Sequence, residues 1–174
     1  MKPRTFLMNV LWSFIPIYVG QFVGFLVSFA GYSFFPLFIR SETGRYAACA
    51  ISTVIACLAA AFVLCRIRGE AHAKEQDYRP IHDFLAFAAA EGIYILVMIL
   101  TGGRTFSTVN VLYACMAVLG ENGATSEAIR DNYPGLVALM IVCMNVVTLP
   151  FAFLGFVSGK EKRESDRTSM HGGK

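Results

Sequence analysis

Charge is scarce in this sequence of 174 residues. Only 16% of the residues are charged, against roughly 25% in ordinary soluble domains. Histidine is scarcer still, with His72, His82 and His171 only. These shortages exclude whole classes of chemistry. No H-E-x-x-H pair and no glycine-rich phosphate loop ending in Lys-Ser or Lys-Thr occurs. The "GFVSG" stretch, 155–159, lacks the central serine of a nucleophile elbow. No basic run interleaved with aromatics marks a nucleic-acid surface. The five cysteines, Cys49, Cys57, Cys65, Cys115 and Cys143, form no C-x-x-C or metal-type pair. They read as small apolar side chains in helix packing. No cofactor, metal site or internal repeat is expected.

What is present is hydrocarbon. Apolar residues make up 56% of the chain and mean hydropathy is +0.56. They come in long blocks nearly free of charge, and blocks of 18 or more residues are long enough to cross a bilayer. Strands of a membrane barrel alternate apolar and polar residues. These blocks do not, so helices are expected. The reading is an all-α integral membrane protein, a bundle of about four transmembrane helices.

The first apolar run, 6–39, is far longer than the 7–15 apolar residues of a signal peptide. It is read as a span over 12–35, with Trp12 at one interface, Tyr32, Phe34 and Phe35 at the other, and Pro36 ending the helix. Residues 1–11 are expected to lie along the surface. Further spans are expected at 46–65, 84–101 and 135–158, giving one membrane domain over 12–158. The charged tail, 159–174, reads as disordered.

Between the last two spans lies a shorter apolar segment, 109–119. Its 11 residues suit an interfacial or re-entrant helix better than a span. Basic residues support that choice. With four spans and the N-terminus inside, 11 Lys and Arg fall inside and 4 outside. A fifth span makes the division 7 against 8. The positive-inside rule selects four spans with both termini cytoplasmic and one long outer loop. A second short outer helix, capped by Thr125 or Ser126, fits "TSEAIRDNYP". The expected location is a bacterial-type cell membrane.

The few polar residues within spans are therefore the informative ones. Gln21, Thr53 and Asn145 lie roughly 13–20 Å from the inner ends of their helices, near the midplane. The plain reading is interhelical hydrogen bonding. A polar substrate site is the sharper one, helped by Pro150, which leaves the Val146 carbonyl without its helical donor. Glu91, within "AAAEGIYILVMIL", is the one ionisable acid or base inside the four spans. An uncompensated charge there costs about 2.5–3.5 kcal/mol on the most lenient scale. It must be protonated, meet water, or reach a polar neighbour such as Tyr94. The candidate ion, proton or substrate site is thus Glu91, Asn145, Gln21 and Thr53. His82 and Asp83 form a weaker candidate pair at the inner edge of the third span.

Gly20, Gly24 and Ser28 line one helical face at four-residue spacing, and Ala88 and Gly92 repeat the spacing on the third helix. Such faces permit close helix approach, so contact between the first and third helices is expected through them. Three functional readings follow. The first is a non-enzymatic structural or accessory component, assembling with itself or into a larger membrane complex. The second is a small oligomeric transporter or channel using Glu91. An intramembrane enzyme built on His82 and Asp83 ranks last. Apart from such assembly, the lipid bilayer is the only partner expected.

Overall fold

The computed structural model describes residues 3–74, 78–101 and 132–171. Every regular element among them is helical. In chain order these are α1 (Pro3–Phe34), a short 3-10 helix (Phe35–Leu37), α2 (Glu42–His72), α3 (Pro80–Leu100), α4 (Pro134–Val146) and α5 (Thr148–His171). Four helical stretches are long and apolar enough to cross a membrane, α4 and α5 together forming the fourth. The segment 109–119, the glycines after Thr101 and the helix expected after Thr125 lie outside the described residues.

The helix ends follow from local chemistry. Ser41 caps α2, its Oγ accepting the Gly44 N–H at 3.3 Å, and Glu42 complements the dipole one residue on. Pro80 opens α3 behind an extended Arg79, and Pro134 opens α4. Pro36 sits in the 3-10 turn that ends α1, as expected. The fourth span is interrupted at Val147. Pro150 has no N–H to offer the Val146 carbonyl, so the ladder breaks one turn before it.

Several boundaries differ from the sequence reading: α2, expected over 46–65, runs on to His72, and α3 begins at Pro80. Residues 3–11 do not form a separate surface segment. They belong to α1, which runs unbroken through Pro16. At 32 residues it is about 48 Å long. The tail read as disordered continues α5 to His171. Contacts hold it: Lys160 pairs with Glu164 one turn on, Lys162 with Glu70 of α2 at 2.9 Å, and Arg167 donates to the Lys74 carbonyl. A charged segment stays helical where a neighbouring helix end supplies partners.

α2 is the centre of the packing, against α1 on one side and α5 on the other. Its buried residues recur every fourth position: Cys49, Thr53, Cys57, Ala61, Cys65 and Gly69. Four residues overshoot a 3.6-residue turn by about 40°. From Cys49 to Gly69 the stripe therefore winds about 200° around the helix. Its first half faces α1 and its second half faces α5. A Cβ on Gly24 would come within 2.5 Å of Cys57 Sγ, and one on Gly31 within 3.1 Å of Cys49 Sγ. At the other end a Cβ on Gly155 would lie 2.5 Å from the Phe62 carbonyl oxygen, and one on Gly159 would overlap the Arg66 carbonyl. The glycines thus let two backbones touch α2 directly.

This corrects the expected helix contact. Gly20 and Gly24 approach Cys57 and Thr53 of α2, not α3, and the Cys57 thiol donates to the Gly20 carbonyl at 3.5 Å. Ser28 is fully buried on the same side of α1. Gly92 is exposed and no described atom lies within 4 Å of its Cβ position, while Ala88 is half-buried. α1 and α3 do meet, but through Asn9 with Asp83 and Tyr18 edge-on to Tyr94. The α5 pair Gly155 and Gly159 had the spacing and makes the tightest crossing.

Candidate functional site

Three of the four candidate site residues, Gln21, Glu91 and Asn145, come together. Gln21 reaches from α1 to α4, its Nε2 donating to Asn145 Oδ1 at 3.3 Å. Asn145 Nδ2 donates back along its own helix to the Ile141 carbonyl at 2.7 Å. Thr148, at the start of α5, lies 2.6 Å from the Asn145 carbonyl and 3.2 Å from Glu91 Oε1. Glu91 of α3 is 2% exposed and Asn145 1%, so neither is bathed in solvent. Four helical segments contribute one polar side chain each.

Thr53 does not join them. It is fully buried on α2, where Oγ1 donates to the Cys49 carbonyl at 2.7 Å and the methyl faces Gly24. Its depth matches that of the others, but its helix turns it toward the α1 seam. Thr148 takes the place Thr53 was given. The proline that interrupts the span sets Thr148 one turn beyond Asn145, where it bridges the break to Glu91.

The hydroxyl of Thr148 has one hydrogen and two oxygen neighbours. The shorter contact, to the Asn145 carbonyl, claims it. The contact to Glu91 is then a hydrogen bond when the carboxyl carries the proton and donates to Thr148 Oγ1. Among the described residues, Glu91 Oε2 and Gln21 Oε1 have no hydrogen-bond partner. Both residues line a cavity of about 10 Å³ shared with Gly20, Cys57, Phe87 and Thr148. That is about the least volume that holds one water.

A second polar cluster occupies the end of the bundle where α1 and α3 begin and α2 finishes. Asp83 is 1% exposed. It accepts from Asn9 Nδ2 at 3.1 Å and from His72 Nδ1 at 2.6 Å, and Arg68 Nη2 stands 3.6 Å away. A carboxylate can only accept, so the His72 proton sits on Nδ1. Arg68 also donates to Ser13 Oγ at 2.8 Å and to the Asn9 carbonyl at 3.1 Å. In the connector, Tyr78 stacks edge-on against His72, and burial, then the Asp83 carboxylate, pushes its phenol above the ordinary tyrosine range.

The sequence reading paired Asp83 with the wrong histidine. His82, its neighbour in the chain, makes no side-chain hydrogen bond to a described residue. Successive helical residues point about 100° apart, so His82 turns away while His72 arrives from α2. Asn9 and Ser13 are single polar residues among apolar ones in α1, and Arg68 and His72 lie past residue 65, beyond the second expected span, so no local pattern joins them to Asp83. Among the described residues no group of three metal-ligating side chains occurs. Comparison with family models, curated proteins and solved structures finds no match to this chain.

Proposed function

We propose that this chain is a non-enzymatic multi-pass membrane component, a structural or accessory subunit that assembles with copies of itself or within a larger complex. The midplane cluster carries the reading. Gln21, Asn145, Thr148 and Glu91 bond mainly to one another, around space for about one water. A solute larger than water has no seat there. Such a network fixes helix register, each bond contributing about 0.6–2 kcal/mol. Glu91 fits it as a neutral acid donating to Thr148. The bundle end that gathers Asn9, Glu70, Asp83 and Lys162 is placed in the cytoplasm, on the excess of basic residues there.

One observation favours a second reading, a proton or cation site. Glu91 Oε2 and Gln21 Oε1 both lack a described partner at one cavity, and a bridging water there would give Glu91 a proton acceptor. The two readings separate in proteoliposomes loaded with a pH-sensitive dye. The structural reading expects proton leak equal to that of empty vesicles, for the native chain and for Glu91→Gln alike, with one assembly size by light scattering. Leak above the empty-vesicle rate that Glu91→Gln removes would establish the second reading instead.

A further inference from the structure

A groove of about 300 Å³ opens between α1 and α2 beside the Asp83 cluster. Its chemistry changes along its length. At one end stand Arg68 and His72, with Asn9 beside them; Trp12 and Ile15 of α1 and Leu64 and Ile67 of α2 are among the apolar residues of its walls. From His72 to Leu64 is eight residues, about 12 Å along the helix. Over that distance the wall passes from a guanidinium and an imidazole to hydrocarbon. Asp83, the acid that pairs with both donors, lies behind them and does not line the groove.

The donors are held in place but not used up. Arg68 has five N–H groups, and its two hydrogen bonds go to Ser13 and the Asn9 carbonyl. The Asp83 oxygen at 3.6 Å is an ion-pair contact beyond hydrogen-bond length. His72 spends Nδ1 on Asp83 and keeps Nε2, which donates to an anion when the ring carries its second proton. Ser13, Asn9 and Asp83 thus fix the guanidinium and the imidazole at the lip of a groove whose interior is apolar. Pro16, also on the wall, removes the helical donor of the Trp12 carbonyl and so leaves one acceptor near the same lip.

We infer that this groove binds one anionic glycerophospholipid, its phosphate on Arg68 and His72 and the start of an acyl chain between Ile15, Leu64 and Ile67. The ligand has the order the groove has: anion, polar linkage, hydrocarbon. Basic pockets between membrane helices are known seats for acidic headgroups. Guanidinium N–H pairs suit phosphate oxygens. The occupant reaches the groove sideways from the bilayer, which supplies both halves of the ligand at once.

Trp12 is the only tryptophan of the chain and lines the groove, 57% exposed. It reports occupancy directly. The full chain in neutral detergent micelles is titrated with phosphatidylglycerol or phosphatidylcholine, each brominated on its acyl chains, and Trp12 quenching is followed. Phosphatidylglycerol is expected to quench at about five-fold lower mole fraction, the preference one cation contributes toward an acidic lipid. His72→Gln keeps a donor for Asp83 and is expected to cut the preference to less than about two-fold. Arg68→Gln is expected to abolish it, with folding checked by circular dichroism. Excess glycerol 3-phosphate is expected to leave the quenching unchanged. Equal quenching by the two lipids overturns the proposal, as does a preference that survives in folded His72→Gln and Arg68→Gln alike. Displacement by glycerol 3-phosphate alone makes this a free-phosphate site and overturns the lipid assignment. A Trp12 that neither lipid quenches, with chains crosslinking in pairs through the groove, assigns it to a second copy.

Discussion

Glu91 and Asp83 stand eight residues apart on α3, both almost wholly buried, and they meet different neighbours. Asp83 is met by a guanidinium, an imidazole and an amide, each carried on a separate element or turn. Glu91 is met by one hydroxyl and, beyond it, amides. The helix end lets Arg68 and His72 bring counter-charge from water to Asp83 along apolar stems. The middle of the bundle has no such source. The lesson is about depth: within one helix the acid near the end meets a guanidinium and an imidazole, and the acid two turns further in meets a hydroxyl.

The same substitution, acid to amide, should separate the two positions. Asp83→Asn removes the charge that balances Arg68, and breaking a buried ion pair costs about 3 kcal/mol. We expect a loss of that size in reversible unfolding in mixed micelles; a loss no greater than that of Glu91→Gln would erase the distinction. Next in size is Asn145→Leu, which takes the acceptor from Gln21 and should cost about 1 kcal/mol in the same assay. A Gln21→Leu change made on top of it should then add little, because the partner is already gone. Glu91→Gln is expected to cost under about 1 kcal/mol, since the amide can still donate to Thr148. A large loss there would mean that Glu91 is held as an anion.

The smallest effect lies outside both clusters. Lys162→Ala removes the exposed contact between the α5 extension and Glu70. Trypsin should then cleave after Arg163 and Arg167 faster, while the spans stay intact on a gel. The native chain in high salt should move the same way, because an exposed ion pair is screened. Unchanged cleavage in both cases would show that the extension is held by something other than this pair.

Much of the architecture was legible in the order of residues. Four apolar blocks, with a stop at Pro36, locate the helices long and apolar enough to cross a membrane, because apolar run length and proline chemistry act locally. Gln21 and Asn145 were recognisable from depth, and Glu91 from being the one charged side chain inside an apolar block. Depth is only one coordinate, however. Thr53 shares it and points to another seam, and Thr148, visible as a polar residue in the same span, was passed over. Direction around a helix depends on which neighbour arrives, and that is a property of the packed bundle. The same limit explains His82, adjacent to Asp83 in the chain but not in space. Gly155 and Gly159 carried a readable spacing, yet nothing local says whose backbone they admit.

The winding stripe on α2 has a consequence for how the chain is made. α1 is already synthesised when α2 appears, so the half of the stripe from Cys49 to Cys57 can be covered at once. The other half waits for Gly155 and Gly159. Gly155 follows Gly69 by 86 residues, and at about 5–20 residues per second it emerges roughly 4 to 17 s later. For that interval Cys65 and Gly69 lack the cover that Gly155 and Phe156 give them in the folded chain. The last span therefore closes the protein onto a seam that its second span has held open since early in translation.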